Sequence, residues 1–144
     1  MEEQEKVIYY TPNEIITKLD VFKGKKALVG DYFSPSYANT KMVLESLGMD
    51  VTIVETYYDV KERIEKGEKY DVIFTNNIYR IGGTGPQLLK ELKEIEGFNT
   101  PVIIHTISEN KYNYFNDLGF DGYLLKPIKQ EETIQVLKNL LHTN

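Results

Sequence analysis

The sequence has no cysteine among its 144 residues. A chain without thiols forms no disulfides, has no cysteine nucleophile and cannot bind zinc through thiolates. This composition fits a reducing compartment, and we expect a cytoplasmic protein. The first residues, Met1 to Lys6 (MEEQEK), are acidic and polar, which is unlike a secretory signal.

The sequence also lacks a long apolar run and a basic cluster. No stretch approaches the roughly 20 apolar residues that span a bilayer, so we expect no membrane contact by this domain. The chain carries 22 acidic and 17 basic residues, which gives a net charge of -5. Because nucleic-acid binding usually requires a concentrated basic surface, we expect no nucleic-acid partner.

Length and composition fit a single globular domain. Hydrophobic residues make up 41% of the chain and charged residues 27%, an ordinary balance for a protein with one sizeable core. The residue pattern changes near residue 25. We therefore divide the chain into a linker or N-terminal arm with a short helix, residues 1–24, and a main domain, residues 25–144.

The arm contains signals for local structure. Lys6 to Tyr10 (KVIYY) is predicted to form a short strand. Thr11 to Glu14 (TPNE) predicts a helix start, because threonine suits the N-cap, proline the first helical position and glutamate the position three after the cap. The helix is predicted to end at about Val21, and Phe22 to Lys25 (FKGK) predicts a turn.

Short apolar segments alternate with amphipathic segments along the main domain. The predicted strands are Ala27–Gly30, Val51–Val54, Asp71–Thr75, Pro101–His105 and Gly122–Leu125. The predicted helices are Ser36–Leu47, Asp59–Lys66, Pro86–Ile95, Asn110–Leu118 and Gln130–Leu141. Continuous apolar strands followed by helices indicate a parallel sheet covered on both faces. We predict an α/β fold with a doubly wound five-stranded sheet in the flavodoxin-like order 2-1-3-4-5.

Polar residues follow four of these predicted strands. Asp31, Asn76, Thr106 and Lys126 lie at or just beyond the strand ends. Ligands in open α/β sheets bind at the carboxyl ends of the strands. We therefore expect these four residues to mark the functional site.

Three stretches carry a resemblance to a known family. They are Tyr70–Phe74 (YDVIF), Gly97–Ile103 (GFNTPVI) and Gly119–Ile128 (GFDGYLLKPI). Together with the element order, they resemble the receiver domain of two-component response regulators over roughly residues 25–141, especially receivers attached to hybrid histidine kinases. The resemblance implies two acids after the first strand that hold Mg²⁺, an Asp after the third that accepts a phosphoryl group, a Ser or Thr after the fourth and a Lys after the fifth.

The acidic positions of that pattern are incomplete in this sequence. The acid pair aligns with Asp31 and Tyr32, or alternatively with Gly30 and Asp31, and either alignment leaves one acid. The phosphoacceptor position aligns with Asn76, and Asn77 follows it, so a shift of one residue restores no acid. An amide is a far weaker nucleophile than a carboxylate. One carboxylate is also a poor Mg²⁺ site, so we expect no cofactor and lost or weak Mg²⁺ binding.

The remaining positions match the pattern. Thr106 and Lys126 match the hydroxyl and the lysine, and Tyr123 matches the aromatic residue that often changes rotamer with phosphorylation. Thr106 is interpreted as a switch residue or as a simple strand-end hydroxyl, and Tyr123 as a relay or as an ordinary half-buried aromatic. Asp31 and Lys126 have opposite charges, and Lys126 could also donate to the side-chain oxygen of Asn76. We hypothesise a degenerate pocket held together by these contacts without metal or phosphate.

Two further features have alternative interpretations. Gly82–Gly85 (GGTG) precedes a helix and is interpreted as a phosphate-binding loop or as a surface loop. His105 ends an apolar strand and is expected to be packed and hydrogen-bonded. With His142 as the only other histidine, we expect no histidine-based metal site.

These observations favour a non-catalytic, receiver-like signalling module of a phosphorelay, a pseudo-receiver from a hybrid histidine kinase. Its expected partners are a histidine kinase, another receiver domain or a second copy of the chain. Two alternatives stay open. One is a small-molecule or nucleotide-binding domain of flavodoxin-like fold, and the other is a receiver that is still phosphorylated through an atypical geometry.

Overall fold

Five strands alternate with five helices in the computed structural model, which describes residues 16–141. The strands are β1 (Lys26–Gly30), β2 (Asp50–Val54), β3 (Val72–Asn76), β4 (Val102–Thr106) and β5 (Gly122–Leu125). The helices are α1 (Ser34–Ser46), α2 (Tyr57–Glu65), α3 (Gly85–Lys93), α4 (Tyr112–Asp117) and α5 (Gln130–Lys138). Each strand begins and ends within one residue of the predicted position.

The strands form one parallel sheet in the order β2-β1-β3-β4-β5, which confirms the predicted topology. The register pairs residues at the carboxyl ends of neighbouring strands. These pairs are Gly30 with Thr75, Asn76 with His105, and Thr106 with Leu125. The register therefore places the ends of β1, β3, β4 and β5 at one edge of the sheet.

Apolar side chains cover both faces of the sheet. One cluster packs alternate strand residues against α1 and α5, and includes Ala27, Val29, Phe74, Leu44 and Leu137. The other packs the intervening strand residues against α2, α3 and α4, and includes Leu28, Ile73, Val60, Leu88 and Phe115. A fully buried Val, Leu, Ile or Phe side chain contributes about 1.5–3 kcal/mol. The two clusters explain why the strand sequences are continuously apolar.

The five helices begin within two residues of the predicted positions, and each ends one to three residues earlier than predicted. Thr56 and Thr84 cap α2 and α3, accepting hydrogen bonds from backbone N–H groups three residues further on. The predicted ends at Ile95 and Leu141 are wrong, because the last turns tighten into bonds such as Ile95 N to Leu92 O, 3.0 Å. Within the described residues, no helix has the length and apolar character needed to cross a membrane.

The segment before β1 packs against the main domain. The predicted strand at Lys6–Tyr10 and the helix start at Thr11 lie outside the described residues. The predicted continuation to Val21 is wrong, because Ile16–Asp20 is not helical. Its backbone bonds instead to the end of α1, with 2.8 Å from Leu19 N to Ser46 O.

The predicted turn at Phe22–Lys25 is confirmed by a 3.0 Å bond from Lys25 N to Phe22 O. The Phe22 ring is 1% exposed and belongs to the core cluster of α1 and α5. The division at residue 24 stays a prediction, although Phe22 packs with the residues that follow it.

Candidate functional site

The carboxyl edge of the sheet brings together the polar residues predicted from the sequence. Asp31, Asn76, Thr106 and Lys126 are all buried, with at most 5% of each residue exposed. They come from four elements, because they follow or end β1, β3, β4 and β5. The backbone N–H of Lys126 donates to the carbonyl oxygen of Thr106 at 2.8 Å, which positions the lysine beside β4.

Asp31 is the acid at the centre of this site. Its Oδ1 accepts a hydrogen bond from the backbone N–H of Phe33 at 3.1 Å. Its Oδ2 accepts hydrogen bonds from the hydroxyl of Ser36 and from Lys126 Nζ, the latter at 3.2 Å. Both carboxylate oxygens are therefore occupied by donors from the chain itself.

Ser36 is a site residue that sequence reasoning missed. It lies near the start of α1, five residues after Asp31, and it is fully buried. A serine facing the interior in the first turn of a helix needs a polar partner. That requirement was the available signal, but the partner could be identified only from the fold.

Lys126 joins Asp31 to Asn76. Its Nζ donates to Asn76 Oδ1 at 2.5 Å as well as to Asp31 Oδ2. The Asn76 side-chain N–H donates in turn to the carbonyl oxygen of Ile78 at 2.9 Å. These contacts confirm the predicted ion pair and the predicted hydrogen bond from the lysine to the amide oxygen.

His105 enters the same site from β4. It is fully buried, and its Nδ1–H donates to the carbonyl oxygen of Thr75 at 2.9 Å. Its Nε2 lies 3.9 Å from Asp31 Oδ2 and has no hydrogen-bond partner among the described residues. Burial and the nearby Lys126 charge lower the pKa of His105 to about 4, so the ring is neutral at pH 7. The prediction that His105 is packed and hydrogen-bonded is correct for one ring nitrogen.

Tyr79 fills the space beneath the site. Its hydroxyl lies 2.8 Å from Thr75 Oγ1, and burial raises the pKa of the phenol. The ring fits because residue 30 is glycine: a Cβ there would lie 2.2 Å from the Tyr79 hydroxyl oxygen. Sequence reasoning missed Tyr79, since nothing in the sequence alone shows that the loop after β3 turns this ring inward.

The Gly82–Gly85 loop is used for close packing. Gly82 has φ 108°, and a Cβ there would lie 2.7 Å from Tyr57 Cβ. A Cβ at Gly85 would lie 2.4 Å from the carbonyl oxygen of Asn76. The Gln87 N–H at the start of α3 donates to Thr84 Oγ1. Gly82 and Gly85 therefore have packing roles that require no phosphate ligand.

Tyr32 lies beside Asp31 at the mouth of the site. The guanidinium of Arg80 lies 5.2 Å from the centroid of the Tyr32 ring, within cation–π range. The position that aligns with the second acid thus holds an aromatic ring beside a positive charge.

Thr106 and Tyr123 meet through Ser108. The Thr106 hydroxyl oxygen accepts a hydrogen bond from the Ser108 N–H at 3.1 Å, and the Tyr123 hydroxyl donates to the Ser108 carbonyl oxygen at 2.5 Å. The Tyr123 ring stacks on Phe115 with centroids 5.7 Å apart. The loop after β4 therefore links the two residues, and whether this link transmits a signal stays a prediction.

The chemistry that this site can perform depends on the functional groups of its side chains. It combines one carboxylate, one ammonium group, one amide and one neutral imidazole in a buried space. Within residues 16–141 there is no group of three or more His, Cys, Asp or Glu side chains that could hold a metal ion. The resting site is therefore a charge-balanced hydrogen-bond network.

Several solved receiver domains have the same fold as this chain. The receiver domain of the sensor histidine kinase PA1611 from Pseudomonas aeruginosa is 23% identical, with a TM-score of 0.71 over 81% of this chain and 97% of that chain. A CheY-like receiver domain from Methylobacillus flagellatus is 21% identical, with a TM-score of 0.73 over 83% and 100%. The receiver domain of Francisella response regulator 1452 is 28% identical, with a TM-score of 0.67 over 81% and 96%.

Sequence comparison supports the same assignment. No curated protein sequence matches the chain, but the family model of the response regulator receiver domain matches residues 33–138. The match spans the three stretches on which the sequence resemblance was based. The chain therefore belongs to the response regulator receiver domain family.

Proposed function

We propose that this receiver domain of a two-component system signals by protein–protein interaction and does not accept a phosphoryl group. The observation that carries the proposal is the amide of Asn76 at the end of β3, hydrogen-bonded to Lys126. The family resemblance assigns this position to the phosphoacceptor carboxylate. An amide oxygen carries no formal negative charge, and it is a far weaker nucleophile than a carboxylate.

The donor set around Asp31 does not fit Mg²⁺. This cation takes about six oxygen ligands in near-octahedral geometry, commonly with one or two carboxylates. Asp31 is the single carboxylate of the site, and its Oδ2 already contacts the Lys126 ammonium. The PA1611 receiver structure contains a magnesium ion coordinated in its active-site cleft. We propose that the Lys126 contacts replace such an ion in this chain.

Helix α4 carries a surface suited to a protein partner. Tyr112, Tyr114 and Leu118 are 59%, 56% and 42% exposed. Tyr114 and Leu118 are four residues apart and so lie on one side of this helical segment, and exposed aromatic and aliphatic side chains that adjoin each other are typical of protein interaction sites. In this proposal the domain docks onto a histidine kinase, another receiver or a second copy of itself, and adjusts phosphoryl flow as part of a hybrid kinase.

Intact-protein mass spectrometry after incubation with acetyl phosphate and Mg²⁺ tests the proposal. The natural chain is expected to keep its mass. An Asn76→Asp, Tyr32→Asp double variant is expected to gain about 80 Da, the mass of one phosphoryl group. An Asn77→Asp variant is the matched control, because it adds a carboxylate one residue away from the site, and it is expected to stay unmodified.

The outcomes separate the competing functions. A phosphoryl group on the natural chain would overturn the proposal and favour a receiver with atypical geometry. A small-molecule-binding domain would be favoured by two results together. Neither the natural chain nor the double variant would gain a phosphoryl group, and a nucleotide would raise the melting temperature of the natural chain.

A further inference from the structure

We propose that residues 1–15 dock, within the same chain, into a groove between α1 and the segment that leads into β1. The groove is open and has a volume of about 530 Å³, within the range of about 300–1,000 Å³ that is usual for binding clefts. Ile16 and Lys18 line it on one side and residues of α1 on the other. The inference goes beyond the proposed function, because it concerns an exposed surface and not the buried site.

The α1 wall of the groove is a continuous stripe. Its residues are spaced three and four apart, so they lie on one side of the helix, and all of them are exposed: Ala38, Lys41, Met42 and Glu45. Met42, in the middle of the stripe, is 40% exposed. The stripe therefore offers an apolar contact beside a positive charge.

The chain enters the groove at Ile16. This residue lines the groove and also packs against the core cluster of α1 and α5. Gln130 holds the next residue, because its Nε2 donates to the carbonyl oxygen of Thr17 at 2.5 Å and to Ser46 Oγ at 2.8 Å. The Leu19 N–H donates to the carbonyl oxygen of Ser46 at 2.8 Å. These contacts fix the attachment point of the preceding residues inside the groove.

This attachment favours residues 1–15 over any other occupant. A chain of 15 residues can reach up to about 50 Å, whereas the 13 residues of α1 extend over about 20 Å. The segment is thus long enough to cover the helix. Because it is covalently attached at the groove, its effective concentration there is on the order of 1 mM, and a protein in solution must compete with it.

The composition of residues 1–15 complements the groove. The segment has four acidic residues and one basic residue, a side-chain net charge of -3, and it contains the apolar run Val7–Tyr10 (VIYY). The groove has two lysines, Lys18 and Lys41, against one acid, Glu45. Residues 51–141 carry 14 acidic and 11 basic residues, so most of the remaining surface repels an acidic segment.

Docking makes the segment a cover for α1. With residues 1–15 in the groove, the exposed side of α1 is closed to other proteins. A partner that binds this side must first displace the segment, so its apparent affinity is lowered by the fraction of chains in which the groove is covered.

A photo-cross-link from α1 in the full-length chain tests the proposal. The natural sequence has no cysteine, so Met42→Cys provides a single thiol, to which a benzophenone maleimide is attached. After irradiation, trypsin and a protease that cuts after glutamate separate residues 7–14 from residues 15–18. The label is expected to be joined to a peptide from residues 1–14, and the product is expected to migrate as a monomer in a denaturing gel.

Matched variants distinguish docking from chance contact. Tyr58→Cys places the label on α2, which packs on the other face of the sheet, at a residue that is 60% exposed, and it is expected to give no such peptide. Lys41→Glu, added to Met42→Cys, is expected to lower the yield by about two- to five-fold, as loss of an exposed ion pair would. Lys90→Glu on α3 changes the net charge equally, away from the groove, and is expected to leave the yield unchanged.

Three results would overturn the proposal. Cross-linked dimers would assign the groove to a second copy of the chain. A labelled, folded Met42→Cys variant without a joined peptide from residues 1–14 would show that the segment lies elsewhere. Equal yields in the Lys41→Glu and Lys90→Glu variants would show that attachment alone brings the segment near the label. The proposed function is tested separately, because none of these results depends on phosphoryl transfer.

Discussion

Asp31 and Lys126 are 95 residues apart in the sequence, yet their side chains form a buried ion pair with 3.2 Å between Oδ2 and Nζ. Neither charge could be buried alone at low cost, so each residue depends on the other. Ser36 and the Phe33 N–H satisfy the remaining capacity of the carboxylate. The pair joins the segment after β1 to the segment after β5, across β3 and β4.

Truncation of Lys126 is expected to destabilise the domain strongly. Lys126→Ala leaves Asp31 buried without its cation, which typically costs about 3–5 kcal/mol in the free energy of unfolding. Urea denaturation monitored by circular dichroism measures the change. Lys129→Ala is the control, since Lys129 is exposed and its replacement is expected to change stability by about 0.5 kcal/mol or less. Equal stabilities for the two variants would contradict the role assigned to the pair.

Magnesium is expected to leave the melting temperature of the natural chain unchanged. A ligand stabilises the state that binds it, and a site with one carboxylate and a resident ammonium binds Mg²⁺ weakly. The Asn76→Asp, Tyr32→Asp variant restores two carboxylates, and its melting temperature is expected to rise by several degrees at about 10 mM Mg²⁺. Thermal denaturation of the natural chain and of the double variant is measured in Mg²⁺ and, as a control, in NaCl of the same ionic strength. A clear Mg²⁺-specific rise in the melting temperature of the natural chain would contradict the hypothesis of a metal-independent pocket.

The element order was predictable because local signals and the fold agree. Continuous apolar runs mark the strands, and glycines such as Gly48 and Gly119, with φ of 89° and 101°, end the preceding helices. The segment before β1 shows where prediction from local sequence signals fails. A good capping sequence at Thr11 favours a helix that reaches Val21, but residues 16–20 are not helical, and Leu19 and Phe22 form backbone bonds to the end of α1. Those partners are distant in sequence, so local propensity could not reveal them.

The sequence predicted those site residues that follow the strands, because the strand order determines which strand ends are neighbours. Asp31, Asn76, Thr106 and Lys126 follow four strands, so the topology alone brings them together. Ser36 reaches the site from a helix whose rotation depends on core packing. The inward turn of Tyr79 depends on the missing Cβ at Gly30. Such contacts arise from packing and leave no local sequence signal.

A methyl group at Gly30 is expected to disrupt the support beneath the site. The new Cβ of Gly30→Ala would lie 2.2 Å from the Tyr79 hydroxyl oxygen and 2.8 Å from Val60 Cγ2. Overpacking of this kind costs about 1–3 kcal/mol. Chemical denaturation of Gly30→Ala, Tyr79→Phe and the double variant gives a thermodynamic cycle. Because phenylalanine lacks the clashing oxygen, the double variant is expected to be more stable than the sum of the single effects predicts. Strict additivity would show that the two positions do not compete for space.

Acid is expected to destabilise the domain through His105. The pKa of this ring is about 4 in the folded chain, against an ordinary value of 6.5. Between these values the unfolded chain binds a proton that the folded chain does not, so the free energy of unfolding falls as the pH drops from 6.5 to 4. The full loss is about 3 kcal/mol, and it ceases to grow below pH 4, where both states are protonated.

Replacement of His105 separates its effect on the pH dependence of stability from the effect of the carboxylates. Glu62, Glu68 and Glu91 have lowered pKa values, so they also lose stabilisation in acid, in the natural chain and in a His105→Gln variant alike. Urea midpoints at pH 7, 5.5 and 4 are measured for both chains. The natural chain is expected to lose more stability than the variant. The difference between their free energies of unfolding should change by about 3 kcal/mol from pH 7 to pH 4. Parallel losses would mean that His105 takes up its proton in the folded state, in which case Asp31 must turn toward Nε2 to pair with it.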